Sequence, residues 1–212
     1  MASQNPAIHW TTLAARLNAI AQNGLAFTKD AFDKERFENV RQIAAEIVAA
    51  EVGAAAEEVE SLLREQVGYA TPKVDIRCAV FQEGKILLVR ERSDQKWTLP
   101  GGWGDVGESL KETAVKEVRE ESGFEVLPRK LIAVYDRNKH PHVPRYVNHI
   151  YKCFVLCEIV SGEAAEATLE TDSIQFFSED DLPPLSLARV TAEQVQCCFK
   201  HHRDPSLPTE FD

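Results

Sequence analysis

Residues 101–124, GGWGDVGESLKETAVKEVREESGF, set three glutamates, Glu117, Glu120 and Glu121, on one side of an expected helix just behind a run of glycines. Ser109 and Glu112 have the spacing of a capping box, and Gly123 before Phe124 supplies a C-terminal stop, which bounds the helix at about residues 110–122. At about 100° per residue from Leu110, the side chains of Ala114, Val118 and Val115 form an apolar stripe, while Glu117, Glu121 and Glu120 fall near 340°, 20° and 280°. The acidic arc therefore borders the buried stripe. Like charges at i,i+4 repel, the last helical turn disfavours negative charge, and partial burial adds to both costs. A hard divalent cation with oxygen ligands removes these penalties, and Mg²⁺ characteristically takes a few carboxylates together with waters and substrate phosphates. Glu112 points near 200°, roughly opposite the arc, and reads as the cap partner. The plain alternative is a solvated, charged helix face.

The rest of the chain limits what such a site can serve. With 212 residues there is room for one or two domains and an ample core. A formal net charge of −10 argues against nucleic acid as the main ligand, because affinity for a phosphate backbone comes mostly from Lys and Arg. A small phosphate compound remains compatible, since a carboxylate-held metal binds one or two phosphates and Arg77, Arg90, Arg92 and Arg137 offer local positive charge. No run reaches the length of a membrane helix, and the first residues, MASQNPAIHWTTLAARLNAIAQ, lack a basic leader followed by an apolar stretch, so a cytoplasmic protein is expected. Five cysteines, at 78, 153, 157, 197 and 198, read as reduced thiols without zinc spacing.

Two regions differ in periodicity. Residues 1–70 carry helical patterns in three runs: Leu13, Leu17 and Ile20; Phe37, Val40, Ile43 and Ile47; Val59, Leu62 and Leu63. Asn23-Gly24 is expected to separate the first helix from the second, Gly53 the second from the third, and residues 68–72 to act as a linker. So small a helical module packs on another domain or on a second copy of itself, which makes a homodimer the expected state. From residue 73 to 212 the pattern is mixed. Strands are expected at 74–81 and 85–90, joined by the hairpin signal Gln82-Glu83-Gly84, then at 130–135, 147–159 and 173–177, with a last helix at about 191–201. Strands around a central helix imply an α/β architecture with a mixed sheet.

The glycine–glutamate stretch resembles the signature of the Nudix hydrolases: a glycine, five residues, a glutamate, seven residues, then Arg-Glu-apolar-any-Glu-Glu-any-Gly-apolar. Gly102, Glu108, Glu117, Val118, Glu120, Glu121, Gly123 and Phe124 match, and Lys116 stands where the family has arginine. Lysine keeps the charge but loses the planar fork that holds a carboxylate in two hydrogen bonds. The resemblance implies a Nudix-type α/β/α sandwich over about residues 73–205 behind a small all-helical N-terminal domain, and the stretches GLAFTKDAFDKERFENV, KVDIRCAVFQ and LPPLSLARVT are similar to a bacterial subgroup with that organisation.

The same resemblance implies hydrolysis of the pyrophosphate bond of a nucleoside diphosphate derivative, with Mg²⁺ as cofactor and Mn²⁺ as a substitute. Glu117 and Glu121 would bind the metal, with Glu120 as a third ligand or the catalytic base and the Gly101 carbonyl as a further contact. Glu108 and Lys116 would support catalysis. Arg77, Trp103, Arg137 and His140 are expected on the substrate, with core packing or a surface salt bridge as their alternative roles. CDP-choline is the first expected substrate and ADP-ribose the second, followed by oxidised nucleoside triphosphates. The competing class is a non-catalytic ligand sensor on the same fold.

Overall fold

The computed structural model describes residues 9–212. The chain divides into two compact units: one runs to Pro72 and takes in Arg145–His149, and the other holds Lys73–Pro144 and Ile150–Asp212.

Among the described residues, the first unit is three helices, α1 (Trp10–Phe27), α2 (Ala31–Val52) and α3 (Ala56–Arg64). Asn23-Gly24 does not end α1. A Cβ on Gly24 would lie 2.4 Å from the Phe37 ring, so this glycine gives α2 room to approach instead of breaking the helix. The break comes at residues 28–30, where the Asp30 carboxylate caps α2 by accepting from the backbone N–H of Phe32 and Asp33. Gly53, at φ 71°, terminates α2 in the left-handed conformation. The inward face is built from Ala14, Ala44, Ala45 and Ala49 with Val48, Val59 and Leu63. Ile20, Ile43 and Leu62, which the periodicity assigns to buried stripes, are exposed. Small residues inside leave the larger apolar ones outside. Val147, expected as the start of a strand, packs into this helical core, and the strand itself begins at Ile150.

The second unit is built on one mixed sheet. Its strands are β1 (Lys73–Gln82), β2 (Lys85–Glu91), β3 (Trp97–Thr98), β4 (Phe124–Asp136), β5 (Ile150–Gly162), β6 (Thr171–Phe177) and β7 (Glu210–Phe211), in the order β3-β2-β1-β5-β4-β7 with β6 on β2. β1 runs parallel to β5, and β4 antiparallel to it. The β1–β2 hairpin turns through Glu83 and Gly84, both at positive φ, as a tight turn matched to strand twist requires. Helices α4 (Leu110–Ser122) and α5 (Ala192–Arg203) cover opposite faces. Alternation along β1 sorts the two cores: Ile76, Cys78 and Val80 join Ala114 and Val118 of α4, whereas Ala79 joins Val195, Cys198 and Phe199 of α5. The five cysteines are free thiols. Among the described residues, no helix is long and apolar enough to cross a membrane.

Candidate active site

α4 occupies Leu110–Ser122, the bounds expected from its sequence, and for the expected reasons. Ser109 Oγ accepts from the Glu112 N–H, Glu112 Oε2 accepts from the Ser109 N–H at 2.8 Å, and Gly123 closes the helix at φ 82°. With Ala114 and Val118 sealed against the sheet, the three glutamates fall into graded environments. Glu121 is buried, Glu117 is half-buried and Glu120 is exposed.

The glycine strand is threaded against β1. Cys78 and Ile76 donate their N–H groups to the carbonyls of Pro100 and Gly102, and the Gly104 N–H donates to Val74 O. A Cβ on Gly101 would sit 2.0 Å from the Ile76 carbonyl oxygen, and its φ of 141° suits glycine, so the backbone approaches as no other residue allows. From that position the Gly101 N–H donates to Glu121 Oε2 at 2.8 Å. Gly102 lies beside Glu117, whose Oε2 would be 2.7 Å from an added Cβ. The two glycines thus bring backbone against two of the three carboxylates.

Burial pushes the Glu121 carboxyl up to about 8, against the opposing pull of Arg77 and the Gly101 N–H, and nearby Glu91 and Glu117 push the same way. Glu117 is also raised, again chiefly by burial. Two desolvated carboxylates flanked by more acid, one of them hydrogen-bonded to a backbone amide, form a donor set that fits a hard divalent cation.

The remaining expected residues are distributed differently. Lys116 reaches Asp105 at 2.7 Å and Glu108 at 3.4 Å, while Glu108 also accepts from Thr113 Oγ1 at 3.1 Å. Both therefore brace the loop that enters α4, and Lys116 acts on Glu117 only through space. Arg77 is buried behind the glycine strand and lies within electrostatic reach of Glu121. Trp103, half exposed, sits on that strand and bridges to Asp75. Arg137 and His140 are committed elsewhere. Arg137 is 1% exposed and donates to the carbonyls of Ala188 and Pro144, and His140 pairs with Asp212 at 2.9 Å while its ring rests on Tyr135. In this structure Arg137 directs its buried fork to main-chain carbonyls and His140 is held at the surface by Asp212, so both serve loop packing.

Three charged residues near the site have no place in the sequence reading: Asp75, Glu91 and Lys152, all buried. Glu91 is held by Arg189 at 2.9 Å. Lys152 carried a signal as the lone charge in the run IYKCFVLC, and Asp75 stands two residues from Arg77 in KVDIRC, but the pairing of Asp75 with Lys152 spans 77 positions.

Comparisons with known proteins agree with this geometry. Residues 71–196 match the family model of the NUDIX domain, and residues 9–63 match that of a UDP-X-like, N-terminal oligomerisation domain. The chain is 45% identical over 203 residues to "Putative ADP-ribose pyrophosphatase YjhB" of Bacillus subtilis, covering 96% of this chain and 97% of that protein. Among solved structures, a UDP-X diphosphatase is similar at 34% identity and a TM-score of 0.62, over 96% of this chain and 98% of the other. An ADP-ribose pyrophosphatase of Streptococcus suis is similar at 46% identity and a TM-score of 0.61, over 67% of this chain and all of the other. With its helix glutamates, glycine strand and mixed sheet in the arrangement described, the chain belongs to the Nudix hydrolases, as a pyrophosphohydrolase of nucleoside diphosphate derivatives.

Proposed function

We propose that this protein is a Mg²⁺-dependent ADP-ribose pyrophosphatase, in which water attacks one phosphorus and the products are AMP and ribose 5-phosphate. The observation that carries the reading is the pair of desolvated carboxylates, Glu117 and Glu121, set against Gly101 and Gly102 in a chain whose full-length Bacillus subtilis relative is named for ADP-ribose. CDP-choline, first in the expectation from sequence, has no counterpart in the names of the relatives above and yields first place to ADP-ribose.

Glu117 and Glu121 are assigned as cation ligands, with the Gly101 carbonyl beside them. Bound there, Mg²⁺ or Mn²⁺ supplies positive charge against the phosphate oxygens and acidity for water. Glu120, exposed at the end of the helix, is assigned the proton of the attacking water. The Gly101 N–H fixes the Glu121 carboxylate, Lys116 and Glu108 hold the entering loop, and the half-exposed face of Trp103 is assigned to the nucleoside. A UDP-linked substrate is the second reading, supported by the full-length similarity to a UDP-X diphosphatase. A panel of ADP-ribose, UDP-sugars and CDP-choline with Mg²⁺ separates these. Release of AMP at a kcat/KM at least about tenfold above that for the UDP and CDP compounds supports the first reading, a discrimination of roughly 1.4 kcal/mol. Preference for a UDP compound overturns it.

A homodimer built through the helical unit belongs to the same proposal. Ile20, Phe27, Phe32, Ile43 and Leu62 are large apolar side chains that this unit leaves exposed, and its family model is described as an oligomerisation domain. Light scattering after size exclusion is expected to give twice the chain mass at micromolar concentration; a monomer peak refutes the assembly.

A further inference from the structure

β1 and β5 bury three charges side by side behind the glycine strand: Asp75, Arg77 and Lys152. Asp75 and Lys152 face each other across the parallel β1–β5 pair. The contacts of this cluster converge on the Asp75 carboxylate. Oδ1 accepts from Arg77 Nε at 3.0 Å and Lys152 Nζ at 2.6 Å, and Oδ2 accepts from Arg77 Nη2 at 2.9 Å. Because the arginine fork is planar, engaging Asp75 through Nε and Nη2 turns Nη1 away, and it donates to the Leu99 carbonyl at 3.3 Å. Leu99 leads directly into Pro100, Gly101 and Gly102, which lie on β1, and the Gly101 amide holds Glu121.

The Asp75–Arg77 pair is neutral without Lys152, and adding a second buried cation is costly. An apolar residue of similar volume in such a place is often neutral or stabilising, so fold stability does not account for the lysine. We infer that Lys152 is a positioning residue of the active site: by bonding Asp75 Oδ1 from the neighbouring strand it fixes the carboxylate plane, which aims Arg77 at Leu99 and keeps the Gly101 amide on Glu121. The inference rests on the reading of Glu117 and Glu121 as the cation ligands. Lys152 reaches the reaction only through Asp75 and Arg77, and that dependence can be measured.

The test is a double-mutant cycle on the full chain with Lys152→Met and Arg77→Met, reading Mn²⁺ affinity by electron paramagnetic resonance on the resting protein, then kcat, KM and Tm. Lys152→Met is expected to lower kcat about tenfold and weaken Mn²⁺ several-fold, with KM within about twofold and Tm unchanged or higher, the scale of a small misplacement at a catalytic centre. Arg77→Met alone and the double variant should agree within about twofold, because neighbours acting through one path are not additive. Multiplicative losses overturn the inference, as does a Lys152→Met protein with wild-type kcat and Mn²⁺ affinity. Asp75→Asn, which keeps the shape and removes the charge, provides the same comparison if Lys152→Met does not fold. Glu121→Gln separates the two levels. If it binds Mn²⁺ as wild type does, the cation-site reading falls and takes this inference with it; if it loses Mn²⁺ while Lys152→Met does not, only the inference falls.

Discussion

Glu121→Gln is expected to lower kcat for ADP-ribose by about 10²–10³-fold at saturating Mg²⁺, the size of loss that follows removal of one electrostatic stabiliser of a transition state. The substitution is nearly isosteric. The amide oxygen of the new side chain can still accept the Gly101 N–H, so the glycine strand has no reason to move and the loss is read at the carboxylate. Steady-state assays over a Mg²⁺ titration check it, and activity within a few-fold of wild type would show that Glu121 is no metal ligand.

The same variant should gain stability where the wild type is weakest. In the metal-free protein, burial raises the Glu121 carboxyl from its ordinary 4.5 to about 8. Below pH 4.5 the group is protonated whether the chain is folded or not. Between there and pH 8 the folded protein keeps a proton that the unfolded chain has released, so stability falls as pH rises through that window. The whole effect is on the order of a few kcal/mol. Thermal melts in a chelator at about pH 5, 6.5 and 8 are expected to show wild-type Tm falling relative to Glu121→Gln as pH rises, and added Mg²⁺ to reverse that trend in the wild type alone. A site that binds its cation with buried carboxylates gives up stability when empty, which is the usual relation between function and stability at such places.

Much of this site was legible because its determinants are local. The α4 bounds follow from two side chains three residues apart and a glycine, and the acidic arc follows from helical spacing alone. The misreadings came where a residue's role depends on a distant partner. Gly24 looks like a helix breaker until Phe37 is seen against it. Val147 looks like part of a strand until the helical core claims it. The partners that hold Arg137 and His140, Ala188 and Asp212, lie 51 and 72 residues away and leave no trace in the polar loop itself. The two-residue strands β3 and β7 are too short for any alternation to register. Lys152 drew no reading from the sequence, since in the run IYKCFVLC nothing beside it names a partner, and only strand order puts it opposite Asp75.

The second large effect is expected at Gly101, and its neighbour supplies the contrast. An alanine at this position would press its Cβ to 2.0 Å from the Ile76 oxygen and 3.0 Å from the Arg77 Cα, both main-chain atoms of β1 that cannot swing aside, and would also have to hold φ at 141°. Gly101→Ala should therefore cost about 3 kcal/mol or more, combining strain with overpacking. For a chain of this size that is a Tm drop of roughly 6–12 °C. With the strand displaced, the amide leaves Glu121, and kcat should fall by about 10²-fold. At Gly102 the obstacle is the Glu117 carboxylate, the far end of a flexible side chain. Gly102→Ala should lower Tm by only about 1–6 °C, because rotating one side chain costs about 0.5–1.5 kcal/mol. Its damage should appear as a higher Mg²⁺ requirement, because the atom that moves is the proposed ligand. Thermal melts beside Mg²⁺ titrations of kcat check the pair. Equal melting losses at the two positions would mean that Gly101 is not pinned by β1, and an unaltered Mg²⁺ requirement in Gly102→Ala would remove Glu117 from the cation site.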